Sequence, residues 1–259
     1  MTTTDRASTT RFLGRLAPTP PAPAGRRTLA EEVVVVLMLS LLASAVYAVI
    51  SLLEAPLEGT IVASANQSSQ LARQLAGFVF ALAPVFLVVH LVRRSGEGLA
   101  GIGLAADRPG PDLAKGLGLF VVVGLAGLGI YLAAVELGVN RFVIPAPPLG
   151  HWWTVPVLVL TALEAALVEE VIVLGYLVTR LRQLSWSPVA SVAGSSALRA
   201  SYHLYQGWGG FFGNLAMGVL FATLFLRWRR TWPFVVAHFL LDLAAGLGYI
   251  AFRDRLPGF

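Results

Sequence analysis

Long apolar runs alternate along the chain with short stretches carrying proline, glycine or arginine. About 20 consecutive apolar residues cross the hydrocarbon core of a bilayer as a helix, so each run predicts one membrane span. Three lie in the first half, at residues 33–53, 71–92 and 113–137. A fourth starts at Trp152 and Trp153 and runs to Arg182, and its membrane-length stretch from Thr161 to Arg182 carries two adjacent carboxylates. Three more follow at 188–206, 210–226 and 232–251. The pattern predicts an all-α fold, a polytopic transmembrane helical bundle of about seven spans. Arg93 and Arg94, Arg180 and Arg182, and Arg227, Arg229 and Arg230 stand at alternate span ends. The bias of arginine toward the cytoplasmic side then sets the N-terminus in the cytoplasm, with the last helix the least determined.

Composition sharpens this reading. Hydrophobic residues make up 56% of the chain and charged residues 13%, a profile that a soluble core does not require. Residues 1–30, rich in Thr, Pro and Ala with five arginines and no apolar run, are expected to form a disordered cytoplasmic tail. Residues 31–150 hold three spans and their loops, and residues 151–259 hold four. Glu31 and Glu32 precede the first span, which favours a retained helix over a cleaved export signal. The expected location is integral to the plasma (inner) membrane. The net charge of +5 sits on arginines beside apolar runs, which suits lipid headgroups and not nucleic acid. There is no cysteine, so disulfides, thiolate ligands and a thiol nucleophile are all excluded. Gly116 and Gly118 follow no strand and serve helix packing, not phosphate binding.

The chemistry concentrates in the second half. Glu169 and Glu170 fall in mid-span, where one ionised side chain costs about 2.5–3.5 kcal/mol, so the pair demands partners. His203, His238 and Asp242 are the downstream residues that can meet them. At about 1.5 Å per residue, Glu169 lies roughly 16 Å from Arg180, His203 roughly 22 Å from Pro188, and His238 and Asp242 roughly 12–18 Å from Arg230. All five therefore reach one depth. His238 and Asp242, four apart, share a helix face. Glu169 and Glu170 are about 100° apart on theirs, so one faces the site directly and the other supports it. Glu164 falls on a different face. Tyr202, Tyr205, Gln206 and Asn214 either orient substrate or water or satisfy one another inside the bundle. His90 and His151 stand at wet span ends, and Trp208, Phe211 and Phe212 read as interface anchors.

Three pieces in order carry a resemblance: Glu169-Glu170-Val-Ile-Val-Leu174-Gly175-Tyr176, His203 in Ser-Tyr-His-Leu-Tyr-Gln-Gly, and Trp232-Pro233 followed by His238-x-x-x-Asp242. Residues 155–251 resemble the CPBP intramembrane proteases, which include type II CAAX prenyl endopeptidases and proteins of bacteriocin processing or self-immunity. The resemblance implies a catalytic core at 151–259 and an intramembrane endopeptidase acting on a membrane-associated protein or peptide. It implies that Glu169, assisted by His203, activates water, that Glu170 completes the carboxylate pair, and that His238 and Asp242 stabilise the oxyanion or hold a metal. Zinc or another divalent ion on Glu169, His203, His238 and Asp242 and a metal-free glutamate mechanism both remain open. The chain departs from the family pattern in having Leu174 where arginine is usual, Arg199 where phenylalanine is usual and Asp242 where asparagine is more common. Arg199 is therefore expected to supply from the fifth helix the cation that the fourth lacks, pairing with Glu170. The alternative function is a non-catalytic membrane partner, for self-immunity or secretion, that keeps the fold. A transporter is disfavoured, since no inverted repeat relates the halves. The implied partners are the peptide or membrane-protein substrate and the lipid bilayer; oligomeric state stays open.

Overall fold

The computed structural model describes residues 67–137 and 148–252, with isolated positions between 28 and 46. Regular structure among the described residues is entirely helical. Helices α1 (Gln67–Ala81) and α2 (Ala83–Arg94) meet at a slight break where Pro84 occupies the first turn of α2. A 3₁₀ turn (Leu99–Ile102) leads to α3 (Pro109–Glu136), whose Asp112 lies in the first turn, where the helix dipole favours an acid. Then comes α4 (Thr154–Glu169), which continues without interruption through a π-helical stretch (Glu170–Val178) into α5 (Thr179–Gln183). Pro188 opens α6 (Pro188–Tyr202) after Ser187, whose Oγ accepts the Ala190 N–H at 3.1 Å, a side-chain cap that fixes the start. After a second 3₁₀ turn (Leu204–Gln206), α7 (Trp208–Trp228) and α8 (Trp232–Phe252) complete the bundle.

Among the described residues, four helical segments are long and apolar enough to cross a membrane: Ser68–Arg94, Pro109–Ala133, Trp208–Trp228 and Trp232–Phe252. They correspond to the expected second, third, sixth and seventh spans. The expected first span, 33–53, falls outside the described residues apart from isolated positions. The fifth differs from expectation: α6 stops at Tyr202 instead of running to Gln206, and its 15 residues rise about 22 Å, less than the roughly 30 Å of a hydrocarbon core. The fourth is a helix along its whole expected length, but wound in two ways.

α8 packs against α3 and α4, and α6 against α7. Phe221, Phe225 and Phe234, all fully buried, join Leu174 and Val178 in one apolar core. The α3–α8 contact depends on Gly116, where an added Cβ would lie 2.6 Å from Val236 Cβ and 2.9 Å from the Pro233 carbonyl. One end of the bundle is tied by polar groups. Thr231 donates its hydroxyl to Ile102 O at 2.6 Å and its N–H to Gly103 O at 2.8 Å, while Arg230 reaches Asp107, Asp112 and Ala105 O. Arg180 donates to Glu97 at 2.6 Å, and this contact, with one from Gln183, holds the partly exposed Glu97 carboxyl below its ordinary value. Because the folded-state value is depressed, that tie is complete at neutral pH and is lost as acid protonates the carboxylate.

The same end locks the π-helical stretch. A Cβ on Gly175 would lie 2.9 Å from Ile102 O and 3.1 Å from Thr231 Oγ1. Gly175→Val is expected to lower stability by about 1–3 kcal/mol, the usual consequence of overpacking, read as a lower melting temperature of the purified protein in detergent. An unchanged melting temperature would contradict this close approach.

Two expectations at the span ends change. His90 is buried, with Nδ1 3.4 Å from Glu31 Oε2, so it is not a wet end-of-span histidine. Trp152 is exposed as an interface residue would be, whereas Trp153 is buried and stacks on His151 at 4.5 Å between ring centroids.

Candidate active site

The two glutamates straddle the point where the helix changes its winding: Glu169 is the last residue of α4, and Glu170 the first of the π-helical stretch. A π turn carries its hydrogen bonds from i to i+5 and is rare outside functional sites. Here it accompanies a sharp difference between neighbours. Glu170 is fully buried, whereas the Glu169 side chain keeps 20% of its surface exposed.

Helix α6 supplies the cation. Arg199, fully buried, places Nη2 against Glu170 Oε1 and Nη1 3.7 Å from Glu169 Oε2. The guanidinium of α6 thus stands between both carboxylates of the fourth helix, and Arg199 makes the contact with Glu170 that the exchanged charge suggested. Its ring-face neighbour is Phe221 of α7, 5.7 Å from the guanidinium carbon. One turn further along α6, the Tyr202 hydroxyl donates to Glu169 Oε2 at 2.8 Å.

Helix α8 closes the other side. His238 Nδ1 lies 2.7 Å from Glu170 Oε1, and Nε2 faces Asp242 Oδ2 at 3.4 Å. The i, i+4 spacing of His238 and Asp242 makes this second contact possible. Tyr202, Glu169, Arg199, Glu170, His238 and Asp242 therefore form one continuous chain of polar contacts from three helices. Two acids in one apolar bundle are tolerable only with such partners: removing one member of a buried pair leaves a charge whose desolvation nothing offsets.

His203 is placed differently. It caps the C-terminal end of α6, its Nδ1 3.0 Å from the Arg199 carbonyl oxygen and its ring tilted against Tyr202 at 4.7 Å. Among the described residues, the histidine and acidic side chains whose ligand atoms all lie within 4.8 Å of one another are Glu169, Glu170 and His238. His203 and Asp242 stand outside that group, so the expected ligand set of Glu169, His203, His238 and Asp242 is not assembled at one point. Tyr202 is the partner that sequence reasoning did not single out for Glu169. Its position three residues after Arg199, on the same helix face, was the available signal.

By spacing, Glu169, Glu170 and His238 could hold a metal ion. By hydrogen bonding, the donor set as arranged does not fit a divalent cation. Both His238 nitrogens face carboxylate oxygens, so the imidazole could bind an ion only by giving up one of these contacts. Glu170 Oε1 already meets two donors, and the permanent charge of Arg199 occupies the position from which a dication would draw the two acids together.

These features define an integral membrane protein with a charged site built between its helices. Residues 151–244 match the family described as Rce1-like, type II CAAX prenyl endopeptidase Rce1-like. The match agrees with the CPBP resemblance of the motifs, and the family it names is one of endopeptidases. It covers every member of the contact chain, from Glu169 to Asp242. No curated protein and no solved structure matches the chain.

Proposed function

We propose that the protein is an intramembrane endopeptidase that hydrolyses a peptide bond in a membrane-associated protein or peptide, with Glu169 as general base. The observation that supports this most is the division between the adjacent acids. Glu170 is buried and committed to Arg199 and His238, while Glu169 is reachable and its Oε2 is steadied by Tyr202. A general base must be held in one orientation yet remain within reach of the proton it takes. Glu169 meets both conditions.

In this reading Glu170, Arg199 and His238 fix the charge around the base, and Asp242 orients His238. His203 sits beside Tyr202 at the end of α6 and assists from the rim, and His238 supplies positive potential to the developing oxyanion. Leu198, Leu204, Trp208 and Phe212 are exposed around this end of α6 and α7, which suits a substrate segment arriving from lipid. The protein is placed in the plasma (inner) membrane with its N-terminus in the cytoplasm.

The test is cleavage by the purified full chain in liposomes of a pool of quenched fluorescent peptides with apolar flanks, the new termini being read by mass spectrometry. New termini absent from protein-free liposomes are expected. If none form, the accessory-protein reading takes its place. Turnover is also expected to stay within about twofold after dialysis against a chelator, because the donor set carries its own cation. Loss of turnover restored by zinc would replace the glutamate mechanism with a metal one.

A further inference from the structure

The two ends of the bundle differ in charge. Arg180 meets Glu97, Arg229 meets Gly101 O and Arg230 meets Asp112, so the ends of α5 and α7 and the start of α3 lie together. Arg93, Arg94 and Arg182 stand at this same end, in the last turns of α2 and α5. Such a bias marks the cytoplasmic side of a membrane protein.

The site is closed toward the arginines and open away from them. Leu174 and Val178 follow Glu170 on the way to Arg180, Phe225 lies beyond the Phe221 that packs on Arg199, and Phe234 separates His238 from Arg230; all five are fully buried. In the other direction exposure rises. Glu170 and Arg199 are wholly enclosed, and the Glu169 side chain is 20% exposed. Tyr202, one turn beyond Arg199, is 38% exposed, and the Asp242 side chain, one turn beyond His238, is 41% exposed.

That open side is wet. Helix α6 starts at the arginine end and stops at Tyr202 after a rise of about 22 Å, inside a hydrocarbon layer of roughly 30 Å. Tyr202 and Leu204 are exposed at the turn that follows, so protein does not enclose it. Irregular backbone at membrane depth is tolerated only against protein or water. The exposed acids agree, since an ionised carboxylate is costly against lipid.

We infer that the site is entered from the face opposite the arginines, and that its substrate is the membrane-proximal segment of a polypeptide on the extracytoplasmic side. The open face stands on burial and on the placement of the arginines; the substrate rests on the endopeptidase reading. A chain arriving from the cytoplasm would have to cross the buried apolar layer to reach Glu169. One arriving from outside meets Tyr202 and Asp242 first.

The chain has no cysteine, so a single introduced thiol reports its own surroundings. In intact cells expressing the full chain, a membrane-impermeant maleimide is expected to label Tyr202→Cys and Asp242→Cys, each made alone. Leu184→Cys, exposed beside the arginines, is expected to be labelled only after the cells are opened. Labelling of the site variants only in opened cells, or in neither state, would overturn the open face. If one of them does not fold the other reports, and if both fail the following comparison decides. Right-side-out and inverted vesicles carrying the parent chain receive quenched fluorescent peptides with a charged tag that keeps them outside. Cleavage above the Glu169→Gln background is expected in right-side-out vesicles, with its loss in inverted ones. Equal cleavage, or cleavage confined to inverted vesicles, would overturn the extracytoplasmic substrate and leave the peptidase reading intact. If neither preparation cleaves while the thiols are labelled from outside, the endopeptidase reading fails, the substrate falls with it, and the open face stands.

Discussion

Glu169→Gln is expected to lower kcat by about 10²–10⁴-fold, the range that a positioned general base contributes, with little change in folding. The substitution keeps the shape of the side chain, and the amide carbonyl can still accept the Tyr202 hydroxyl now 2.8 Å from Glu169 Oε2. What disappears is the capacity to take a proton from water. The partial exposure of Glu169 makes loss of its charge tolerable to the fold, and the ion pair of its buried neighbour with Arg199 is untouched. The measurement is kcat and KM on the peptide pool beside the melting temperature of the same preparation. A variant that turns over like the parent would dismiss Glu169 as the base, and one that fails to fold would show that the acid is structural.

Arg199→Leu is expected to have the opposite signature, a loss of about 3–5 kcal/mol in stability, the range for breaking a buried pair on one side. The guanidinium is fully buried between Glu169 and Glu170 and packs on Phe221. Leucine fills part of that volume but leaves Glu170 with His238 as its remaining cationic partner. The cost therefore comes from the stranded charge. Adding Glu170→Gln should recover part of the loss, because the stranded charge goes with it, and the non-additivity in the double-mutant cycle measures the pair. Equal stability of parent and Arg199→Leu, or strict additivity with Glu170→Gln, would mean that the pair does not hold the bundle together.

Much of the helical layout was legible in the hydropathy pattern because the spacing of polar breaks is a direct consequence of bilayer thickness. The second, third, sixth and seventh segments appear within a few residues of their expected ends. The acids, Arg199, His238 and Asp242 were legible for a related reason: polar groups inside an apolar segment must find one another. The winding was not. Periodicity arguments assume 3.6 residues per turn, and nothing in Glu170-Val-Ile-Val-Leu-Gly-Tyr-Leu-Val announces bonds from i to i+5. The early end of α6 was hidden as well, since no proline or glycine marks it; the helix stops at Tyr202 and the chain turns at Gly207, where φ is +97°. His203 was consequently expected inside a continuing helix, and instead it caps one.

The loosely wound segment between Glu170 and Val178 also works as a phase adjuster. It lies between a lower end anchored through Arg180 and Gly175 and an upper end bearing Glu169. A one-residue deletion that the winding did not absorb would turn everything above by about 100°. Glu169 would then swing away from Tyr202, and Glu170 away from Arg199 and His238, although no side chain of the contact chain had been altered. Chain length in these two turns, more than the identity of the apolar residues filling them, keeps the acids aimed at the neighbouring helices.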